Sequence, residues 1–140
     1  MHIEIGDWKT LSHDASRVRH EVFVIEQNVP VDIELDVHDA QCIHAVAYDE
    51  SDRPVGTGRL LPDAHIGRMA VLQAYRGQGV GSRLLDTLIH EARRRGYAQV
   101  VLSAQTHAQP FYERHGFIAE GSLYMDAGIE HRLMRLPLAA

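Results

Sequence analysis

Between Arg76 and Ser82 the chain reads Arg-Gly-Gln-Gly-Val-Gly-Ser, with glycine at every second position from Gly77 to Gly81. An apolar run, Ile66 to Leu72, precedes this segment, and an amphipathic stretch with Leu84, Leu85, Leu88, Ile89 and Ala92 on one stripe follows it. Glycines between a strand and a helix let backbone N–H groups converge where the helix dipole also favours negative charge, which is how a pyrophosphate is held. A bare G-x-G string is weak by itself, and the bland alternative is a tight strand-to-helix turn. Spacing narrows the ligand. A dinucleotide fingerprint needs G-x-G-x-x-G and a P-loop needs lysine and then serine or threonine directly after its glycines, and this segment has neither.

The elements that must carry this loop can be outlined from periodicity. Apolar residues Leu11, Ala15, Val18, Val22 and Ile25 recur every three or four positions, which predicts an amphipathic helix ended by Asn28 and Pro30. Val31 to His38 alternates strictly, so that an extended segment would put Asp32, Glu34, Asp36 and His38 on one acidic face and Val31, Ile33, Leu35 and Val37 on the other. Strands are predicted at Ile43 to Tyr48, Val55 to Leu61 and Ile66 to Leu72, the first two joined as a hairpin. The helix after the glycine loop ends in Arg93, Arg94 and Arg95 with Gly96 as its cap, and a fourth strand, Ala98 to Ser103, lies parallel to the third through this crossover. A short helix from Gln109 to His115 and a hairpin of Phe117 to Tyr124 with His131 to Leu136 complete a mixed α/β (α+β) chain.

Composition sets the outer bounds. A chain of 140 residues, 45% hydrophobic and 24% charged, is expected to form one domain over residues 1–140. One cysteine excludes an internal disulfide scaffold and points to a reduced, cytoplasmic location. No apolar run suits a bilayer span and no signal-peptide pattern opens the chain. A formal charge of −5 argues against nucleic acid, and the ten histidines lack the spacing of a zinc site. The sole lysine is Lys9, so nearly all positive charge sits on arginine, whose fork suits phosphate.

Arg76, Gly79 and Gly81 fit an R/Q-x-x-G-x-G/A pattern directly after Met69-Ala70-Val71, and here the chain resembles the GCN5-related N-acetyltransferases (GNATs). The resemblance continues through Arg19 to Gln27, then Asp36, Asp39 and His44, then Ser103 to His107, Phe111 to Phe117 and Asp126 to His131, which look like the ElaA/YjcF branch. It implies a central, mixed, splayed sheet flanked by helices, with acetyl-CoA between two parted parallel strands and no metal. Met69, Ala70 and Val71 would pair with the pantetheine arm. Arg76, Gly77, Gln78, Gly79, Val80, Gly81 and Ser82 would wrap the pyrophosphate, and Gln105, Phe111 and Tyr112 would complete the coenzyme site. The acceptor would be an amine of a small molecule or a peptide; a homodimer is left open.

The chemistry implied is attack of a neutral amine on the thioester. A lysine-like amine, of pKa about 10.4, needs a base, and the departing thiolate needs an acid. Tyr112 matches the family's acid; its other reading is an aromatic packed on the cofactor. Glu26, His44 and His131 are the candidate bases, with Glu26 ranked first and a water relay as an alternative. The acidic run is open to three readings: a metal site, which lacks the glycine a calcium loop needs; a solvated face; or recognition of a cationic acceptor by Glu34 and Asp36. The alternative to an enzyme is a non-catalytic acyl-CoA-binding sensor that keeps the loop.

Overall fold

The computed structural model describes residues 1–34 and 36–138. Leu35, one member of the alternating apolar set, lies outside them. Seven strands form one mixed sheet in the order β1-β2-β3-β4-β5-β7-β6. The strands are β1 (His2–Gly6), β2 (Ile43–Tyr48), β3 (Pro54–Leu60), β4 (His65–Val71), β5 (Gln99–Gln105), β6 (Ile118–Asp126) and β7 (Ile129–Pro137). Helices α1 (Trp8–Arg19), α2 (Val31–Glu34), α3 (Val80–Arg94) and α4 (Gln109–Arg114) flank it. The splayed mixed sheet expected of a GNAT fold is therefore present, and the sequence reading missed only β1 among the strands.

The sheet parts at its centre. Strands β4 and β5 are parallel and pair only through His65↔Val101 and Ile66↔Leu102, after which both run on without a ladder between them. Helix α3 seals one face of the sheet with Leu84, Leu85 and Leu88, all buried against Val55, Leu60 and Val100. Its approach is close at β3, where a Cβ on Gly56 would stand 2.8 Å from Leu84 and 2.9 Å from Val80. That proximity fixes the helix N-terminus beside the end of β4.

Two predicted elements differ. The helix expected to reach Ile25 is α-helical only to Arg19 and continues as a π-helix over His20–Glu26, with Gln27 N–H donating to Val22 O at 3.1 Å. The wider turn rotates later residues off the buried stripe, so Val22 is buried while Ile25 is 64% exposed. Val31–Glu34 and Val37–His38 are helical turns and not a strand. Glu34 N–H donates to Pro30 O at 3.1 Å to close α2, and Asp36 caps a 3-10 turn at Val37–Gln41 through His38 N–H at 2.9 Å. Local capping by proline and aspartate outcompetes the period-two pattern.

Candidate active site

The gap between β4 and β5 opens into a cleft of about 860 Å³. Its free wall is the outer edge of β4. Leu72 N–H donates to Val55 O at 2.9 Å, so by the alternation of a strand the N–H of Val71 points away from β3, toward the cleft. Val71 O lies on the same side and accepts from Arg76 Nε at 2.9 Å. Met69, Ala70 and Val71 line the cleft, where the family resemblance expects a wall that pairs with an extended ligand.

At one end the glycine loop enters α3. Gly77 and Gly79 adopt φ of +77° and +84°, where a side chain is strained, and a Cβ at either would meet nothing within 4 Å. Glycine is needed there for backbone conformation and not for space. Arg76, Gly77, Gly79, Val80, Gly81 and Ser82 line this end, while the Gln78 amide turns back to Ala74 O at 3.2 Å. Ser82 Oγ lies 3.0 Å from His115 Nε2, and His115 Nδ1 lies 3.3 Å from Asp86, tying the end of α4 to the start of α3.

Tyr112 sits where α4 meets the cleft, 8% exposed and packed edge-on against Phe111 and Phe117. Its hydroxyl has no partner among the described residues, and burial pushes its pKa up to about 12, which keeps the phenol protonated. Across the opening, Gln27 and Gln105 exchange amide hydrogen bonds of 3.1 and 2.9 Å, bridging the π-helix to β5. Opposite Gln105 on the ladder stands His131, whose Nδ1 donates to Ile129 O at 2.7 Å. A ring that donates from Nδ1 to a carbonyl leaves Nε2 with a lone pair when neutral.

Of the predicted bases, then, His131 lines the cleft and the other two do not. Glu26 is a correction: its carboxylate takes two hydrogen bonds of 2.7 Å from Arg76, and that partner lowers its pKa, weakening it as a proton acceptor. His44 is a second correction. Its ring is 1% exposed, Nε2 donates to Asp39 O at 2.9 Å, Trp8 covers it, and burial lowers its pKa. It is a packed core residue.

The acidic run also differs from every reading of a free anionic face. Glu34 takes Arg19 Nε at 2.5 Å, Asp39 accepts from both Arg19 and Arg59, and Asp36 takes Arg59 Nη2 at 2.7 Å. Although burial opposes ionisation, the His38 N–H and Arg59 hold the Asp36 pKa down at about 2. Glu34 and Asp36 are thus spent on arginines, and among the described residues no cluster of His, Cys, Asp or Glu could hold a metal ion. Arg19, Arg59 and Arg68 are the participants that sequence reasoning missed. Their only signal was an arginine in each of three separate apolar elements.

A model of the acetyltransferase (GNAT) domain matches residues 11–138. The chain belongs to the GNAT family. It is 41% identical over 125 residues to a Bacillus subtilis protein named uncharacterized N-acetyltransferase YjcF, covering 86% of this chain and 89% of the relative. A crystal structure from Lactobacillus plantarum superposes with a TM-score of 0.90 at 33% identity, over 99% of this chain and 98% of that one. Escherichia coli ElaA superposes with a TM-score of 0.86 at 28% identity, over 96% of this chain and 99% of that one. These relatives place this GNAT in the ElaA/YjcF-like branch. In GNAT terms the parted strands, glycine loop and Tyr112 form one continuous cleft. No helix of the described residues is long and apolar enough to cross a membrane.

Proposed function

We propose that the protein is an N-acetyltransferase that moves the acetyl group of acetyl-CoA directly to a primary amine, on a small molecule or a peptide, within a ternary complex. The observation that carries this reading is the single cleft in which the free β4 edge, the glycine loop at the α3 N-terminus and the Tyr112 hydroxyl meet. The residues fit acetyl-CoA as substrate. The loop amides suit a pyrophosphate, the exposed β4 edge suits the amide-bearing pantetheine arm, and the Val71 N–H is the donor available to a polarised acetyl oxygen. Acetyl-CoA supplies an activated thioester.

The chain's own groups divide the proton work. His131 Nε2, directly or through one water, takes a proton from the acceptor ammonium, and the neutral amine then attacks the acetyl carbon. Carbon–sulfur cleavage leaves a thiolate that Tyr112 protonates, its raised pKa keeping the proton available until negative charge develops, and the second proton lost by the nitrogen as the amide forms returns to the Tyr112 oxygen. Amine-dependent thiol release from acetyl-CoA, followed with a thiol-reactive dye, tests the reading. Tyr112→Phe is expected to lower kcat by roughly 100-fold to 10,000-fold while acetyl-CoA binding is little changed. Tight coenzyme binding without release by any amine is the behaviour of a sensor and refutes the proposal.

A further inference from the structure

Three arginines and three carboxylates meet beyond the acceptor end of the cleft, and their contacts are unequal. Arg19 is fixed by Glu34 and Asp39, and Arg59 donates to Asp39 and Asp36 at 2.7 Å each. Arg68 receives what is left: Glu34 O at 3.4 Å and Asp36 Oδ2 at 3.5 Å, while its buried Nε has no partner among the described residues. It also lines the cleft. Burial disfavours its charged form, and the nearby charges of Arg59 and Arg19 disfavour it further.

The backbone under Arg68 is unusual as well. Between the pairs Arg59↔Gly67 and Thr57↔Ala70, β4 carries one residue more than β3, and Arg68 takes φ +49° in that bulge. A non-glycine residue is strained there, and bulges of this kind re-aim side chains at sites. An under-compensated guanidinium on a strained backbone, beside the free edge at Met69–Val71, costs stability twice. The first of these costs is offset when an anion arrives.

Resting on the acetyl-transfer reading above, we propose that Arg68 binds a carboxylate of the acceptor, so that the amine acetylated belongs to an amino acid or a similar small amino-carboxylate. Arg68 shares Asp36 with Arg59, holds it only at 3.5 Å and keeps one N–H unpartnered, which suits a carboxylate, whereas a phosphate dianion would bring twice the negative charge beside Glu34 and Asp36. Arg68 adjoins Met69, and the three steps from Arg68 to Val71 cover at most about 10 Å at strand rise, so the carboxylate and the reacting amine belong to one small acceptor. The acceptor is therefore recognised by a cation and not by the acidic run.

Binding to the coenzyme A complex, measured by calorimetry, separates this site from catalysis. The probes are the standard amino acids, β-alanine, their carboxamides and O-phosphoethanolamine. At least one amino acid should bind 10-fold or more tighter than its own carboxamide. Arg68→Gln and Arg68→Gly should each erase that preference with coenzyme A affinity unchanged, and Arg68→Gly, which accepts the left-handed backbone, should keep or raise Tm. Equal binding of acids and carboxamides, tighter binding of O-phosphoethanolamine, no binding by any amino acid, or a preference that survives in both variants overturns the proposal. Arg68-dependent amino-acid binding without thiol release from acetyl-CoA would uphold the anion site and sink acetyl transfer. Release driven equally by amines lacking any anion would do the reverse.

Discussion

The end of the cleft proposed for the pyrophosphate, the phosphate end, is made of backbone, the left-handed Gly77 and Gly79 and the first turn of α3, whereas the end proposed for the acceptor, the acceptor end, is made of side chains that arrive from α1, β3, β4, Glu34, Asp36 and Asp39. At the first end the backbone conformation of the loop dominates, and the residues that set it are neighbours in sequence. At the second, Arg19 and Asp39 are joined across 20 residues and Arg68 and Glu34 across 34. A site of backbone amides tolerates side-chain change around it. A site of interlocked charges fails as a unit.

The largest break in this contrast is expected from Asp39→Ala. Asp39 is 3% exposed and accepts three hydrogen bonds, two from Arg19 and one from Arg59. Its loss takes one of two carboxylate partners from each of two buried guanidiniums, and breaking buried pairs of this kind typically costs about 3 to 5 kcal/mol. Urea unfolding should show that loss, whereas Ser82→Ala at the phosphate end should change stability by less than about 1 kcal/mol. Comparable values for the two would erase the distinction between the ends.

Acid should strike the same end next. The Asp36 pKa is about 2 in the fold against an ordinary 3.8, because Arg59 and a backbone N–H outweigh burial. A depressed carboxylate contributes stability that is fully present above its unfolded pKa and lost as pH falls through the folded one, here between about 4 and 2. The difference is worth about 2 kcal/mol. Unfolding free energies measured down this range in wild type and Asp36→Asn should converge at the acid limit; a constant gap between them would show that the ion pair does not titrate as described.

A smaller effect distinguishes the glycines from one another. Gly79→Ala forces a methyl group onto φ +84° at a cost of about 1 to 2 kcal/mol, although nothing crowds the new atom. Gly81 has no positive φ, and its Cβ would make an ordinary 3.5 Å contact with Phe111. Coenzyme A affinity should therefore fall in Gly79→Ala and hold in Gly81→Ala. The opposite ranking would mean that space at the helix N-terminus, and not loop conformation, shapes the phosphate site.

The same contrast explains what could be read from residues alone. Strands β2 to β5, α3 and the glycine loop carry their periodicity and caps within 6 to 15 consecutive residues, so sequence patterns located them. The 31–38 alternation misled because Pro30 and Asp36 impose turns that no hydrophobic period reports. His44 looked like a candidate base because it matches a residue of the branch motif, and a motif match says nothing about Trp8 lying over it. Glu26 looked like one for the same reason, since its partner Arg76 is 50 residues away. Pairings at that separation are set by the fold, and Arg68 draws its importance from them entirely.

The smallest predicted effect concerns that last pair and sharpens the comparison most. Glu26 and Arg76 are both partly exposed, so their bidentate contact should add little to stability, at most about 1 kcal/mol. It does, however, occupy an arginine at the mouth of the phosphate end and place a carboxylate where a pyrophosphate would approach. Glu26→Gln frees Arg76 of its charged partner and removes like-charge repulsion, so coenzyme A should bind a few-fold more tightly. The gain should shrink with added salt, because screening acts over about 10 Å at 0.1 M. Turnover at saturating acetyl-CoA should stay close to wild type, since the carboxylate is held by Arg76 and takes no proton from the acceptor. A loss of 100-fold or more in kcat with coenzyme binding unchanged would instead make Glu26 the base, and the proton work assigned to His131 would have to move to the π-helix side of the cleft.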